Sequence, residues 1–454
     1  MSSPDLPDGE PEAGPELPTD SGGYGFPAPL WRALDRHRPR GVDRLNRWRS
    51  PLRGLWLTSV FGSVLLVALP IVILTGLVSY IVYAPQFGTS VPADVGWLKL
   101  PTFDWPTRPV WLYRLSQGLH VGLGMVLIPV VLAKLWSVIP KLFIWPPARS
   151  IAQFLERLSI AMLVGGILFE IATGVLYIQY DYIYGFSFFA AHYFGAWVFI
   201  AGFLIHISLK IPRMVEGLRS RSLREVLRTN TADTEPEPAG SHGLVAGDPA
   251  PATVSRRGAL ALVGGGALLT ALVTVGQTIG GIARHLPLML PTGDTTGKGP
   301  NDFRINKTAE GVALDPASTG DSWRLTLRGG PAPVVLDRAM LTAMPQHSAR
   351  LPIACVQGWS TVQAWSGVRL SDLADLAGVP APRSAAVASL GRKGKFNNAT
   401  LEHNQISDPD ALLALRVNGA DLSLDHGYPA RIIVPAINGV HNTKWVKSID
   451  FKAS

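Results

Sequence analysis

The sequence predicts an α-helical transmembrane bundle followed by a separate α+β domain, and three observations carry that prediction. Five long apolar runs lie between Leu55 and Ile282. Charged residues make up only 16% of the 454-residue chain. Past about residue 290 the pattern turns to short alternating runs bounded by glycine and proline. A net charge of +8 would suit a nucleic-acid partner if it covered one surface. The basic residues instead cluster beside the apolar runs, as membrane topology requires, so membrane lipid is expected as a partner and nucleic acid is not.

Residues 1–30 are rich in proline, glycine and acidic residues with little to bury, and are expected to form a disordered tail. The apolar runs 55–83, 110–133, 158–180 and 188–209 give a four-helix membrane domain over residues 31–225. A polar cytoplasmic linker, 226–254, leads to a fifth apolar helix at 258–282 within residues 255–285. At 1.5 Å per residue each run is long enough to cross a hydrocarbon core of about 30 Å. Residues 286–454 remain for the α+β domain, a length that supports its own core without a disulfide.

The loops orient the bundle. Eight arginines lie between Arg32 and Arg53, whereas the stretch 84–109 carries only Lys99 and Arg108; four basic residues follow in 134–157 and eight in 210–257. The positive-inside rule then puts the amino terminus and the linker in the cytoplasm and the last domain outside, making a multi-pass plasma-membrane protein with an extracytoplasmic domain. Trp97, Trp105, Trp111, Tyr177, Tyr180, Tyr182 and Tyr184 are expected at the outer interface. Ser255-Arg256-Arg257 before a glycine-rich apolar run resembles a twin-arginine export signal retained as an anchor, although paired arginines that merely obey the positive-inside rule read the same way.

Histidines at membrane depth are functional candidates because they are costly there. His192 and His206 are fourteen residues apart on the fourth run. That is about 40° short of four turns and about 21 Å along the axis, so both face one way near opposite leaflets. His120 on the second run stands at the depth of His192, and two facing imidazoles can clamp one b-type haem. With this pair the sequence resembles the haem-b membrane subunits of formate dehydrogenases and hydrogenases, which implies haem b on His120 and His192 and quinone or quinol as a partner. The resemblance also implies a second, inner haem, for which His206 is the candidate. Gly62 stands where that family has the opposing histidine, and Lys134, fourteen residues beyond His120, is the remaining candidate partner. Glu170 is expected to pair with Arg114, to carry protons, or simply to pack.

In the last domain the runs 323–327, 333–336 and 431–434 read as strands, and 371–377 and 409–415 as helices. The single cysteine, Cys355, lies in Ala354-Cys355-Val356-Gln357-Gly358-Trp359-Ser360, so it is a buried filler, a reactive thiol or a soft-metal ligand. It is followed by Asn418-Gly419, by Asp425-His426-Gly427-Tyr428-Pro429-Ala430-Arg431, and by Lys444-Trp445. In this order the motifs resemble the catalytic domain of the sulfite-oxidase family of molybdopterin enzymes. The resemblance implies Cys355 as molybdenum ligand and catalytic residue. It implies His426, Arg431 and Lys444 around the phosphate of the molybdopterin, with His441, Asn442, Arg304, Asn306 and Lys307 as further contacts.

One departure matters: Ser360 stands five residues past the cysteine, where sulfite oxidases carry an arginine. Cys355-Val356-x-x-Trp359-Ser360 and Trp365-x-Gly367 are closer to the exported methionine-sulfoxide reductase branch. The chain as a whole is therefore expected to be a membrane-bound molybdenum oxidoreductase passing electrons between quinone, haem b and an extracytoplasmic small-molecule substrate such as a sulfoxide. Oxidation of sulfite or another small anion, and a non-enzymatic haem electron-transfer or redox-sensing role, are the alternatives.

Overall fold

The computed structural model describes residues 48–83, 96–101, 103–142, 150–178, 186, 188–238, 243–279, 283, 285, 296–393 and 397–453. The expected tail, 1–30, and Tyr180, Tyr182 and Tyr184 lie outside the described residues. The first half is helical: α1 (Leu55–Tyr83), α2 (Leu112–Val126), α3 (Ile128–Leu142), α4 (Ile151–Ile178), α5 (Phe188–Arg219), the one-turn α6 (Leu223–Val226), α7 (Arg256–Thr274) and the short α8 (Gly276–Ile279). Four of these are long and apolar enough to cross a membrane, or five if α2 and α3 form one span bent by 41°. The second apolar run is thus a broken helix that continues to residue 142, past the expected 133. The cause is Pro129, which has no N–H to give Met125 and whose ring crowds that carbonyl.

α4 and α5 pack most extensively, and α1 lies against α2, α3 and α5. Glycine permits the close approach: a Cβ at Gly202 of α5 would meet the Leu163 backbone of α4 at 2.8 Å, and one at Gly166 would meet the Phe199 backbone at 3.0 Å. Outward-facing side chains on the bundle are apolar, including Val67, Leu74, Leu262 and Leu268.

The linker is not a tether. Glu237 accepts hydrogen bonds from Leu55 N (2.7 Å) and Trp56 N (3.2 Å), capping the start of α1 from 180 residues away in sequence, and Trp56 Nε1 donates to Arg221 O. Arg256 Nη2 donates to Glu235 O, Arg257 reaches Leu227 O and Asn230, and Ser255 caps α7 through Gly258 N. The paired arginines are therefore built into the fold of 226–254, with Arg256 buried. Glu237→Ala is expected to cost about 1 kcal/mol, the usual worth of a cap. A melting temperature lowered by a few degrees in the full chain would show it; a solvated tether would give no change.

The second half has two sheets. One has the order β2 (Val334–Leu336), β1 (Leu325–Arg328), β10 (Val446–Lys452), β5 (Ser384–Ser389), β6 (Asn398–Glu402), with β1 and β10 parallel. The other runs β3 (His347–Ala354), β4 (Ser360–Arg369), β7 (Leu412–Val417), β8 (Ala420–Asp421), and β9 (Arg431–Ile433) also pairs with β7. Short helices α9 (Arg338–Ala343), α10 (Leu370–Leu376) and α11 (His403–Ser407) fill the connections.

The helix expected at 409–415 is the strand β7. Its leucines serve two cores. Leu413 and Leu415 face the core shared with the first sheet, among Leu325, Val387 and Ile449, while Leu412, Ala414 and Val417 pack with Leu351, Trp359 and Trp365. A strand buried on both faces loses its alternation and reads as a continuous apolar run. Trp105, expected at the outer interface, is instead buried in the domain core, its Nε1 donating to Ala436 O at 2.8 Å. Trp97 and Trp111 are exposed.

Candidate functional site

β3 and β4 pair in register from His347–Gly367 to Ala354–Ser360, and the tight turn between them carries Cys355. Cys355 N donates to Trp359 O (2.9 Å) and Gly358 N to Cys355 O (3.0 Å). Gly358 sits at φ +90°, and a Cβ there would also press on Val121 of α2 at 2.8 Å, so glycine is required twice over. The turn is seated on the helical half. Gln117 Nε2 donates to Val356 O (2.5 Å), Gln357 Nε2 to Ile178 O (3.1 Å), Thr278 Oγ1 to Gly358 O, and Ser360 Oγ to Thr278 O (2.6 Å).

The thiol is buried, 3.7 Å from Gln357 Oε1, which also accepts from Trp359 Nε1 (3.0 Å). Burial pushes its pKa up to about 11, against the pull of Arg304 and Lys444. A soft metal bound at the sulfur would supply the missing stabilisation of the thiolate. Arg304 stacks over Trp359 and donates to Gln277 Oε1 of α8 (2.9 Å).

A second cluster lies around β9. Arg431 Nη1 donates to His426 O (2.9 Å) and Nη2 to Asn442 O (3.2 Å), with the guanidinium over the Trp365 ring. Lys444 Nζ donates to Asp425 O (2.7 Å) and Lys307 O (2.9 Å), and Lys307 Nζ to Asn397 Oδ1 (2.8 Å). His426 Nε2 faces Phe303 O and its Nδ1 faces Ser423 Oγ. Since a carbonyl can only accept, Nε2 carries the proton. Asn306 is partly buried in the same segment as Arg304.

Among the described residues three buried polar atoms here have no partner: Arg431 Nε, Asn442 Nδ2 and Thr443 Oγ1. All can donate, and Asp425 Oδ1 is already taken by Ala309 N. An orphaned set of donors beside buried cations fits an anion such as a phosphate. Sequence reasoning brought together Cys355, Arg304, Lys307, His426, Arg431, Asn442 and Lys444, but it missed Gln357 and Thr443, whose neutral side chains carry no charge to draw notice.

Burial holds His441 and His426 near pKa 3, the latter also through Lys444 and Arg431. Both are neutral in the folded chain, whereas the unfolded chain takes up their protons below about pH 6.5. Stability of the cofactor-free chain is therefore expected to fall as pH drops from 6.5 towards 3, with a limiting slope of about 2.7 kcal/mol per pH unit for two protons. His441→Gln should halve that slope in denaturant titrations at pH 7, 6 and 5.

Comparisons with known proteins bear on this half of the chain. Residues 313–454 match the model of the oxidoreductase molybdopterin binding domain. Residues 313–454 are a molybdopterin-binding oxidoreductase domain of the sulfite oxidase family. The chain is 31% identical over 131 residues to the uncharacterized oxidoreductase YuiH of Bacillus subtilis, covering 28% of this chain and 65% of that protein. It is 33% identical over 100 residues to sulfite oxidase of Arabidopsis thaliana (19% and 25%), and 35% over 96 residues to the NADH nitrate reductase of Volvox carteri (19% and 11%). The chain thus spans less than two thirds of each of these relatives. The donor cluster and Cys355 both lie within residues 313–454, and Arg304 and Lys444 act electrostatically on the thiol.

A second set lies in the bundle, directly below the Cys355 turn. His120 and His192 face each other with ring centres 6.0 Å apart and planes at 85°. His120 Nδ1 is 2.9 Å from Val72 O; His192 Nδ1 is 3.0 Å from Thr173 Oγ1 and 3.1 Å from Glu170 Oε2. With both Nδ1 atoms occupied, each ring keeps Nε2 as its free ligand atom. Gly76 and Gly174 leave room for the rings, since a Cβ would meet them at 2.7 Å and 3.3 Å. The cavity around them, of about 190 Å³, is lined by Gln117, His120, Glu170, Tyr177, His192 and Val356, among others.

Glu170 therefore pairs with His192. Arg114, its expected partner, donates to Thr278 O and Ile279 O of α8. His206 lines a separate cavity with Lys134, whose Nζ donates to Thr58 O (2.7 Å), and no second imidazole lines that cavity among the described residues.

Proposed function

We propose that the chain is a membrane-bound molybdenum oxidoreductase in which haem b, held by His120 and His192, relays electrons from a quinol to a molybdenum site at Cys355 outside the cytoplasm, where a small oxidised substrate such as a sulfoxide is reduced. The observation that carries this reading is that Val356, the residue after Cys355, forms part of the wall of the His120–His192 cavity. The two sites share a single layer of residues. The balance is two electrons and two protons per turnover: quinol gives quinone, and sulfoxide gives sulfide and water.

The imidazole geometry suits a haem. His120 and His192, with ring centres 6.0 Å apart and each Nδ1 already occupied, would hold one iron between their Nε2 atoms. When bound, molybdenum supplies oxygen-atom transfer and haem a one-electron relay. The residues do the rest. His120 and His192 would offer Nε2 to the iron, with Val72 O and Glu170 fixing their tautomers, and Arg431, Asn442, Thr443, Lys444 and Lys307 would hold the terminal phosphate of the pterin. Ser360, its hydroxyl engaged by Thr278 O, offers no cation to an anionic substrate. The apolar outer faces of α1 and α7 support a bilayer setting, and the arginine-rich ends support a cytoplasmic side remote from the domain.

Likeness to sulfite oxidases favours one second reading, sulfite oxidation with electrons running into the membrane. Purified full chain separates the two. On the first reading a sulfoxide reoxidises dithionite-reduced haem; on the second, sulfite reduces oxidised haem. A haem spectrum unmoved by either would remove both.

A further inference from the structure

The larger of the two cavities described here, about 270 Å³, lies at the end of the bundle remote from the molybdopterin domain. Its inner part is apolar, lined by Leu65, Leu66, Phe199 and Phe203. Its outer part carries Lys141, Lys210 and Arg213 around one carboxylate, Glu156, which Lys210 engages. The Lys141 ammonium and the Arg213 guanidinium donate no hydrogen bond and form no ion pair within the described residues, although the Lys141 carbonyl accepts from Arg157 Nη2. His206 lines the cavity, and its buried Nδ1 has no partner among the described residues. Leu244 of the folded-back linker covers one side.

Uncompensated cations in such a setting call for a counter-anion. A second haem fits poorly, because Lys134 Nζ stands 3.1 Å from where a Gly62 side chain would begin and is held by Thr58 O. An apolar chamber with a basic rim at the ends of membrane helices matches an acidic phospholipid, phosphate at the rim and one acyl chain inside.

We propose that this cavity holds one anionic phospholipid, its phosphate held by Lys141, Lys210 and Arg213 and by His206. The proposal rests on the membrane reading. A chain that stays soluble without detergent would sink that reading, and with it this one. The specific test is native mass spectrometry of the detergent-solubilised full chain titrated with phosphatidylglycerol, phosphatidylcholine or inorganic phosphate. One phosphatidylglycerol should be retained per chain, at least about tenfold more tightly than phosphatidylcholine, with no displacement by inorganic phosphate. Lys141→Gln combined with Arg213→Gln should weaken its retention by about thirtyfold. Arg224→Gln, at the same end but outside the cavity, should leave it unchanged. Equal retention of the two lipids, an equal loss in the Arg224 variant, displacement by phosphate, or a second haem that disappears in His206→Ala would each overturn the assignment.

Discussion

Cys355→Ser removes molybdenum-dependent turnover by a factor on the order of a thousand or more, over 4 kcal/mol in activation free energy. The chain stays folded. The serine keeps the size of the buried side chain, and the turn is held by backbone bonds from Cys355 N and Gly358 N that the substitution does not touch. A hydroxyl with an ordinary alcohol pKa cannot replace a thiolate as a soft ligand. Metal analysis should show molybdenum lost or loosely held, while the haem absorbance is unchanged. Unchanged molybdenum content with unchanged turnover would end the assignment of Cys355 as the ligand.

The second large effect is on the haem pair. His192→Ala or His120→Ala is expected to abolish bound haem b and, with it, quinol-driven turnover. Turnover driven by a soluble dye that reduces the molybdenum site directly should survive within about threefold, because both histidines lie outside the molybdopterin domain. Glu170→Gln is a finer probe of the same site. Glu170 Oε2 sits 3.1 Å from His192 Nδ1, where a carboxylate would raise the basicity of the imidazole as an iron ligand and so favour the ferric state. Its amide should raise the midpoint potential by on the order of 60 mV, about tenfold in the redox equilibrium, with the haem retained. A potential that does not move would leave Glu170 as packing alone.

Long features were the most legible in the sequence. An apolar run of more than twenty residues has few alternatives, and motifs made of cysteine, glycine, histidine and arginine at fixed spacing point to a pocket whatever lies between them. Features that depend on who faces whom were not legible. β7 read as a helix because its leucines are divided between two cores, which a one-dimensional pattern cannot display. The break after Val126 was masked by uniform hydrophobicity, even though Pro129 was in plain view. Glu170 reads equally as a partner of Arg114, a proton carrier or a packing group, and only packing shows that it meets His192 while Arg114 takes the carbonyls of α8. The docking of the polar linker was not legible because Glu237, its anchor, bonds backbone amides that leave no trace in sequence. Gln117 was open to detection, since a polar side chain one turn before His120 on an apolar helix is an anomaly of its own.

The seat of the β3–β4 turn on α2 and α8 has a kinetic consequence. Two separate redox proteins must diffuse, collide in the right orientation and part again, and their rate follows concentration and salt. Here Gly358 rests against Val121 and Val356 is bonded to Gln117, so encounter is replaced by covalent connection and a fixed contact. Internal electron passage should then be first order, indifferent to dilution and nearly indifferent to ionic strength.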